Sequence, residues 1–451
     1  VLAMEVLTFP KDFIFGVSTS AYQIEGAADE DGRGPSVWDT FSKLPGRTWN
    51  NDNGDKACDH YHRYVEDIKL MKELNLDAYV FTISWPRIFP EGEGKPNPKG
   101  IDFYERLVDE LLKNDIKPFA TLFHWDLPQA LQDKYGGWKS KDVSKLFSDY
   151  TAFVVDKLKD RVEYWITINE ISCFTILAHK YDIHAPGGIE PEKIVNQTVH
   201  NALLGHGLAA RIIHEISSKL KVGLVENLSM VWPVYEEEKH INAARKAFYD
   251  KNQQILFPAM RGKYSEEWLK KIGKDAPDFN EEELKIIGER MDFIGYNMYT
   301  GEVVRHKDNE DGYEVFPYPQ YFPKTYMGWP ITPKAIYACL KFSTEFFGNE
   351  IPIYITENGM AAKDVETKDG EVLDIERIEF LRQHLEQVAR ALNEGINLKG
   401  YFVWSLLDNF EWAEGYDKRF GLVRVNYSSQ KRTIKLSGEY YRNVIKSRRV
   451  L

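Results

Sequence analysis

Two glutamates stand at the ends of apolar, β-prone runs, each beside an asparagine: Tyr164-Trp165-Ile166-Thr167-Ile168-Asn169-Glu170 and Ile353-Tyr354-Ile355-Thr356-Glu357-Asn358-Gly359. A carboxylate at the end of a buried strand is costly to desolvate unless it has partners. Taken singly, each reads as half of a structural ion pair. Taken together, they point to two carboxyl groups facing one site. Such a pair can divide the cleavage of a glycosidic bond, one group donating a proton while the other attacks carbon. The attack requires a separation of about 5–5.5 Å.

Elements that could bring the two residues together are readable along the chain. Eight apolar runs alternate with stretches of helical period: Phe13–Thr19, Ala78–Trp85, Pro118–Trp125, Val162–Asn169, Lys221–Leu228, Phe293–Tyr299, Ile353–Thr356 and Gly400–Leu406. Near-continuous apolar sequence is what parallel strands covered on both faces require. Between them, Ala57–Leu74 carries Tyr61, Tyr64, Val65, Ile68 and Met71 at i, i+3, i+4 spacing, Ile101–Asn114 carries Tyr104, Leu107, Val108 and Leu111, and Glu376–Asn393 carries Ile378, Leu381, Leu385 and Val388. Eight β-then-α units predict an α/β fold, a single (β/α)8 TIM barrel with long βα loops, residues 1–451 forming one catalytic domain. The long connections are Ala21–Asp55 and Gly301–Thr332. In such barrels chemistry sits at the C-terminal ends of the strands. Glu170 and Glu357 fall there, and Gln23, Arg87, His124, Asn297, Tyr299 and Trp404 fall at or just past other strand ends.

Composition narrows the classes. The 451 residues are 43% hydrophobic and 28% charged, with net charge −11 and no basic stripe, so a nucleic-acid partner is not expected. No apolar run reaches membrane-spanning length. Cys58, Cys173 and Cys339 are odd in number and far apart, which favours a reducing compartment. No leader pattern is visible, so a cytoplasmic location is expected. Cys58-Asp59-His60-Tyr61-His62 offers metal-binding types, but they do not share a helical face. It reads as a helix start, and no metal is expected. The sequence leaves open whether copies of the chain form a homo-oligomer.

Beyond these features the chain resembles glycoside hydrolase family 1, the retaining β-glucosidases and β-galactosidases. The motifs run in order over nearly the whole length: Phe13-Ile14-Phe15-Gly16-Val17-Ser18-Thr19-Ser20-Ala21-Tyr22-Gln23-Ile24-Glu25-Gly26, Ser36-Val37-Trp38-Asp39-Thr40-Phe41, Phe81-Thr82-Ile83-Ser84-Trp85-Pro86-Arg87-Ile88, Phe123-His124-Trp125-Asp126-Leu127-Pro128, both glutamate runs, and Trp404-Ser405-Leu406-Leu407-Asp408-Asn409-Phe410-Glu411-Trp412. The resemblance implies that Glu170 is the acid/base and Glu357 the nucleophile. It implies that Asn169 binds the sugar 2-hydroxyl, that Gln23, His124 and Glu411 bind other ring hydroxyls, and that Trp404 lies beneath the ring with Trp412 as a further contact. Arg87, Asn297 and Tyr299 are implied around the nucleophile, and Trp329 at the entrance. No metal or organic cofactor is implied, and the partner is a small β-glycoside.

The chain departs from the family pattern where Ile171, Ser172 and Cys173 follow Glu170 in place of the usual Pro and frequent aromatics, which bears on the leaving-group subsite. Met298 also stands where an aromatic or His is common. Relatives that cleave 6-phosphorylated sugars carry Ser and Tyr at the positions of Glu411 and Phe420. A carboxylate at 411 would repel phosphate, so terminal β-D-glucosyl residues, with galactosyl or fucosyl ones as further candidates, are the expected substrates, cleaved from small glycosides or cello-oligosaccharides through a glycosyl-enzyme intermediate. The competing expectations are a barrel that binds without hydrolysing and a 6-phospho-β-glycosidase.

Overall fold

The computed structural model describes residues 7–450. Eight parallel strands form a closed barrel: β1 (Ile14–Ser18), β2 (Ala78–Thr82), β3 (Lys117–Phe123), β4 (Tyr164–Asn169), β5 (Lys221–Asn227), β6 (Phe293–Asn297), β7 (Ile353–Asn358) and β8 (Leu398–Trp404). Each strand lies between its neighbours in the chain, and β8 closes on β1 with Ile14 opposite Gly400 and Ser18 opposite Trp404. Helices fill the crossovers, as the alternating pattern predicts.

The apolar runs are continuous because both faces are covered. Inward, Ala78, Val80, Phe119, Ile166, Val225, Phe293, Tyr354 and Phe402 fill the barrel's lower interior. Phe119 and Phe402 meet at 5.3 Å between ring centroids. Gly16 is required beside them, since a Cβ there would come within 2.5 Å of the Phe402 ring. Outward, the strands pack on helices, and Trp85 stacks on Tyr150 with centroids 5.0 Å apart.

Element ends differ from the expected ones for local reasons. The run Ala78–Trp85 leaves the sheet at Thr82, and Trp85–Ile88 forms one helical turn with Pro86 near its start, where its missing N–H costs no hydrogen bond. The run beginning at Ile353 continues to Asn358, so Glu357 lies inside the strand end. The Ala57–Leu74 period becomes the helix His60–Glu73, entered through Asp59 in the left-handed region. His60 of the Cys58–His62 segment pairs with Asp67, which Arg432 also holds.

The long connections are structured. Residues 21–55 include the helices Ala21–Ile24 and Val37–Ser42, the second capped by a reciprocal Ser36–Asp39 box. Gly301–His306 and Tyr313–Phe316 form a small sheet with Met230–Pro233. After β8 the chain returns over the mouth, anchored by a fully buried charge cluster. Lys435 bridges Asp364 and Asp408, both at 2.6 Å, Arg377 pairs with Asp364 at 2.7 Å and with Asp374, and Asp408 accepts from the Gly421 N–H at 3.0 Å. This cluster fixes the segment that carries Glu411, Trp412 and Phe420. No helix among the described residues is long and apolar enough to cross a membrane.

Candidate active site

Both glutamates sit beside backbone irregularities. Against β5, β4 shifts register between Ile166 and Asn169, and β7 shifts between Ile355 and Glu357 against β6 and between Ile355 and Asn358 against β8. Bulges of this kind re-aim side chains that a regular pleat would send elsewhere. Glu170 itself is left-handed, with φ 53° and ψ 74°. Trp125 (φ 77°) and Trp412 (φ 49°) share that strain. Such residues cost about 1–3 kcal/mol each and persist where the surroundings over-determine them.

The re-aimed side chains meet in a cavity of about 270 Å³ at the C-terminal ends of the strands. Glu170, Glu357, Gln23, His124, Tyr299, Trp329, Trp404, Glu411, Trp412 and Phe420 all line it. Asn169 and Asn297 stand behind them in a relay. The Thr356 hydroxyl donates to Asn297 Oδ1 (2.7 Å), and Asn297 Nδ2 donates to Glu170 Oε1 (2.6 Å) and to Asn169 Oδ1 (3.1 Å). Asn169 Nδ2 then donates to His124 Nε2 at 3.2 Å. Burial lowers His124 to about 3, so the ring is neutral, and an accepting Nε2 puts its proton on Nδ1. On the far wall, Gln23 receives the Ser20 hydroxyl (2.6 Å) and donates to the Phe410 carbonyl (2.8 Å) and to Glu411 (3.4 Å). Trp412 stacks on Trp125 at 4.5 Å, and Trp329 flanks Tyr299 at 5.4 Å. A larger hollow of about 600 Å³ lies elsewhere, against Trp232, Tyr337 and Arg390. Its acid, Glu236, is paired with Arg390, so it lacks free carboxyl groups.

Charge in the cavity is one-sided. Burial raises Glu357 well above the usual carboxylate range, and the charge of Glu170 raises it further, while hydrogen bonds from Tyr299 and Asn297 pull the other way. Burial also raises Glu170, against hydrogen bonds from Asn297 and Cys173. Burial and like charge together oppose ionising both groups at once. Tyr299 donates its hydroxyl to Glu357 Oε2 at 2.5 Å, whereas Glu170 Oε2 has only the Cys173 thiol at 3.0 Å, a weak donor. Glu170 Oε1 also accepts the Asn297 amide at 2.6 Å, so what sets Glu357 apart is the short phenolic bond. Glu411 is pushed up to about 8, mainly by burial.

Arg87 is placed differently from the expectation. Its guanidinium lies over the Tyr61 ring and donates to Glu25 (2.9 Å) and to the Ala27 and Gly26 carbonyls, and none of its hydrogen bonds goes to Glu357. Of the three residues expected around Glu357, Tyr299 donates to it, Asn297 lies opposite it on β6 with its amide bonded to Glu170 and Asn169, and Arg87 makes no bond to it. Sequence reasoning passed over Glu226, buried at the end of β5 and bonded to the segment after Glu170. The signal was present, since Val225-Glu226-Asn227 is again an acid beside an asparagine at the end of an apolar run.

Fold and cavity together define a class: a (β/α)8 barrel whose strand ends present two carboxyl groups to a pocket walled by aromatics and hydrogen-bonding side chains. The chain belongs to glycosyl hydrolase family 1, whose model matches residues 6–450. It is 46% identical to beta-glucosidase A of Acetivibrio thermocellus over 98% of this chain and 99% of that one. It is 40% identical to a bifunctional beta-D-glucosidase/beta-D-fucosidase of Bifidobacterium breve, covering 97% and 98% of the two chains. Among solved structures, the family 1 b-glucosidase from Thermotoga maritima superposes with a TM-score of 0.92 at 44% identity, covering 99% of this chain and 100% of that one. The same enzyme in complex with glucoimidazole gives 0.91 at 45% identity, covering 98% and 100%.

Proposed function

We propose that this protein is a retaining β-glucosidase that hydrolyses terminal β-D-glucosyl residues of small glycosides and cello-oligosaccharides by double displacement. The observation that carries the reading is the meeting of Glu170 and Glu357 in one cavity, with the Tyr299 hydroxyl bonded to Glu357 and the Asn297 amide and Cys173 thiol bonded to Glu170. Glu357, stabilised as a carboxylate by Tyr299, attacks the anomeric carbon while Glu170 protonates the departing oxygen. Once the sugar is bonded to Glu357, that residue's charge is gone and Glu170 loses the repulsion that held its proton. It then acts as base toward water.

Gln23, His124, Asn169 and Glu411 are the proposed partners of the ring hydroxyls, Trp404 and Trp412 the apolar contacts, and Trp329 and Phe420 the entrance. The Bifidobacterium breve relative carries fucosidase in its name, and a Thermotoga maritima complex holds a galacto-hydroximolactam, which supports a sugar site tolerant at positions other than the reacting carbon. A 6-phosphorylated sugar is disfavoured. Glu411 lines the cavity, and Lys418 is held by Asp417 at 2.8 Å and by the Tyr326 ring at 3.8 Å. Residues 1–451 act as one catalytic unit on this reading. Three free, buried cysteines fit a reducing, cytoplasmic setting.

A 2-fluoro glucoside with an activated leaving group tests the assignment. It should label Glu357 in stoichiometric amount and inactivate the enzyme. Label on another residue, or an unlabelled protein that still turns over glucosides, overturns it.

A further inference from the structure

Glu226 is 3% exposed, does not line the cavity and has no cation among its hydrogen-bond partners. Burying an acid beside two others is costly unless its oxygens are used. Both are used, and on one short segment. Oε2 accepts the Ile171 N–H at 2.7 Å and Oε1 bonds the Ser172 hydroxyl at 2.8 Å.

That segment opens the helix Ile171–His179, directly after Glu170. The first N–H of a helix has no partner within the helix. Glu170 precedes it but makes no side-chain cap. Glu226 supplies the cap from the neighbouring strand. One residue earlier on β5, the Val225 carbonyl accepts the Glu170 N–H at 2.8 Å. Consecutive residues of β5 thus hold the peptide groups on both sides of a residue in left-handed strain.

Resting on the functional reading above, we propose that Glu226 is a positioning residue for Glu170: its carboxyl group clips the first turn of the following helix and so fixes where the Glu170 carboxyl group points. The clip does not depend on charge. Burial pushes Glu226 up to about 8, and a neutral carboxyl group serves equally, its carbonyl oxygen facing the Ile171 N–H and its hydroxyl facing Ser172. Glutamine reproduces both contacts, and leucine reproduces neither.

The test compares kcat/KM on an alkyl glucoside, which needs a proton donor, with that on a dinitrophenyl glucoside, which does not. Glu226→Gln should keep both within about threefold of wild type. Glu226→Leu should lose about 100-fold on the alkyl glucoside and about threefold or less on the dinitrophenyl one, because general acid catalysis supplies at least that factor. Added azide should restore its turnover of the dinitrophenyl substrate, since azide needs no base. Ser172→Ala, which removes one of the two clip contacts, should show the same split at smaller size, and adding it to Glu226→Leu should cause little further loss.

Equal losses on both substrates, or wild-type values in Glu226→Leu, overturn the proposal. If Glu226→Leu does not fold, the Ser172→Ala split decides by itself: a selective loss on the alkyl glucoside supports the clip, and equal or no losses overturn it. Wild-type protein inactive on both glucosides would sink the functional reading, whereas an active wild type with no split in the variants sinks this inference alone.

Discussion

Removing the Tyr299 hydroxyl isolates the support of the proposed nucleophile. Tyr299→Phe keeps the ring, and with it the contacts to Trp329 at 5.4 Å and Phe420 at 6.3 Å, and deletes the 2.5 Å bond to Glu357 Oε2. A hydrogen bond to a charged group is worth about 1.5–3 kcal/mol. Divided by 1.36 kcal/mol per pKa unit, that is an upward displacement of about 1–2 units for Glu357. The sign follows from the geometry: the donor favours the ionised form, so its loss makes the carboxylate hold a proton to higher pH. The acidic limb of kcat/KM against pH, measured on an aryl glucoside, should therefore move up by about 1–2 units. The plateau should also fall where the bond orients the carboxylate. An acidic limb that stays in place or moves down would refute the assignment of Tyr299 as the group that keeps Glu357 ionised.

Three further outcomes are expected. Glu170→Ala should lose about 10²–10⁴ in kcat/KM on alkyl glucosides and far less on activated aryl ones, and equal losses would remove the acid/base role. Gly359→Ala would place a Cβ 1.9 Å from the Trp404 carbonyl oxygen, so the platform must move and activity should fall at least about tenfold; unaltered kinetics would show that the contact is relieved elsewhere. Burial works against the charge of Asp364, but Lys435 and Arg377 outweigh it and hold its carboxyl below the usual range, so its contribution to stability is present above the ordinary carboxylate pKa and is lost as pH falls through the lowered one. Asp364→Asn should cost about 3–5 kcal/mol at neutral pH and flatten the acid limb of stability, read by chemical denaturation across pH.

How legible each part was in the sequence depended on whether side-chain chemistry or backbone hydrogen bonding carried the information. The eight strands were visible because barrel strands are covered on both faces and leave a continuous apolar signature in sequence. Their ends were less visible, because the helical turn at Trp85–Ile88 and the extension of β7 through Glu357 depend on partners remote in the chain. The register shifts beside Glu170 and Glu357 have no periodicity to betray them. Arg87 shows the limit of reading a strand end as a site: its position is right, but its side chain turns to Glu25 and Tyr61. The anchoring cluster joins Asp364, Asp374, Arg377, Asp408 and Lys435 from four separate stretches, and no local pattern ties them together.

The electrostatics of the site argue for its chemistry independently of any motif. Glu170, Glu357, Glu411 and Glu414 line the cavity, Glu226 lies just behind, and no lysine or arginine stands among the lining residues. Ring-hydroxyl donors of a bound sugar suit Glu411, whose burial leaves it few partners within the protein. A transition state with cationic character at the anomeric carbon is attracted by a carboxylate at Glu357, and an anionic substrate finds no cation in the lining to pair with. The donors that reach Glu170 and Glu357 are polar groups rather than cations. A phenol, an amide and a thiol adjust proton affinity without adding charge. Selectivity for a neutral glycoside and reactivity toward it thus arise from one distribution of buried acids.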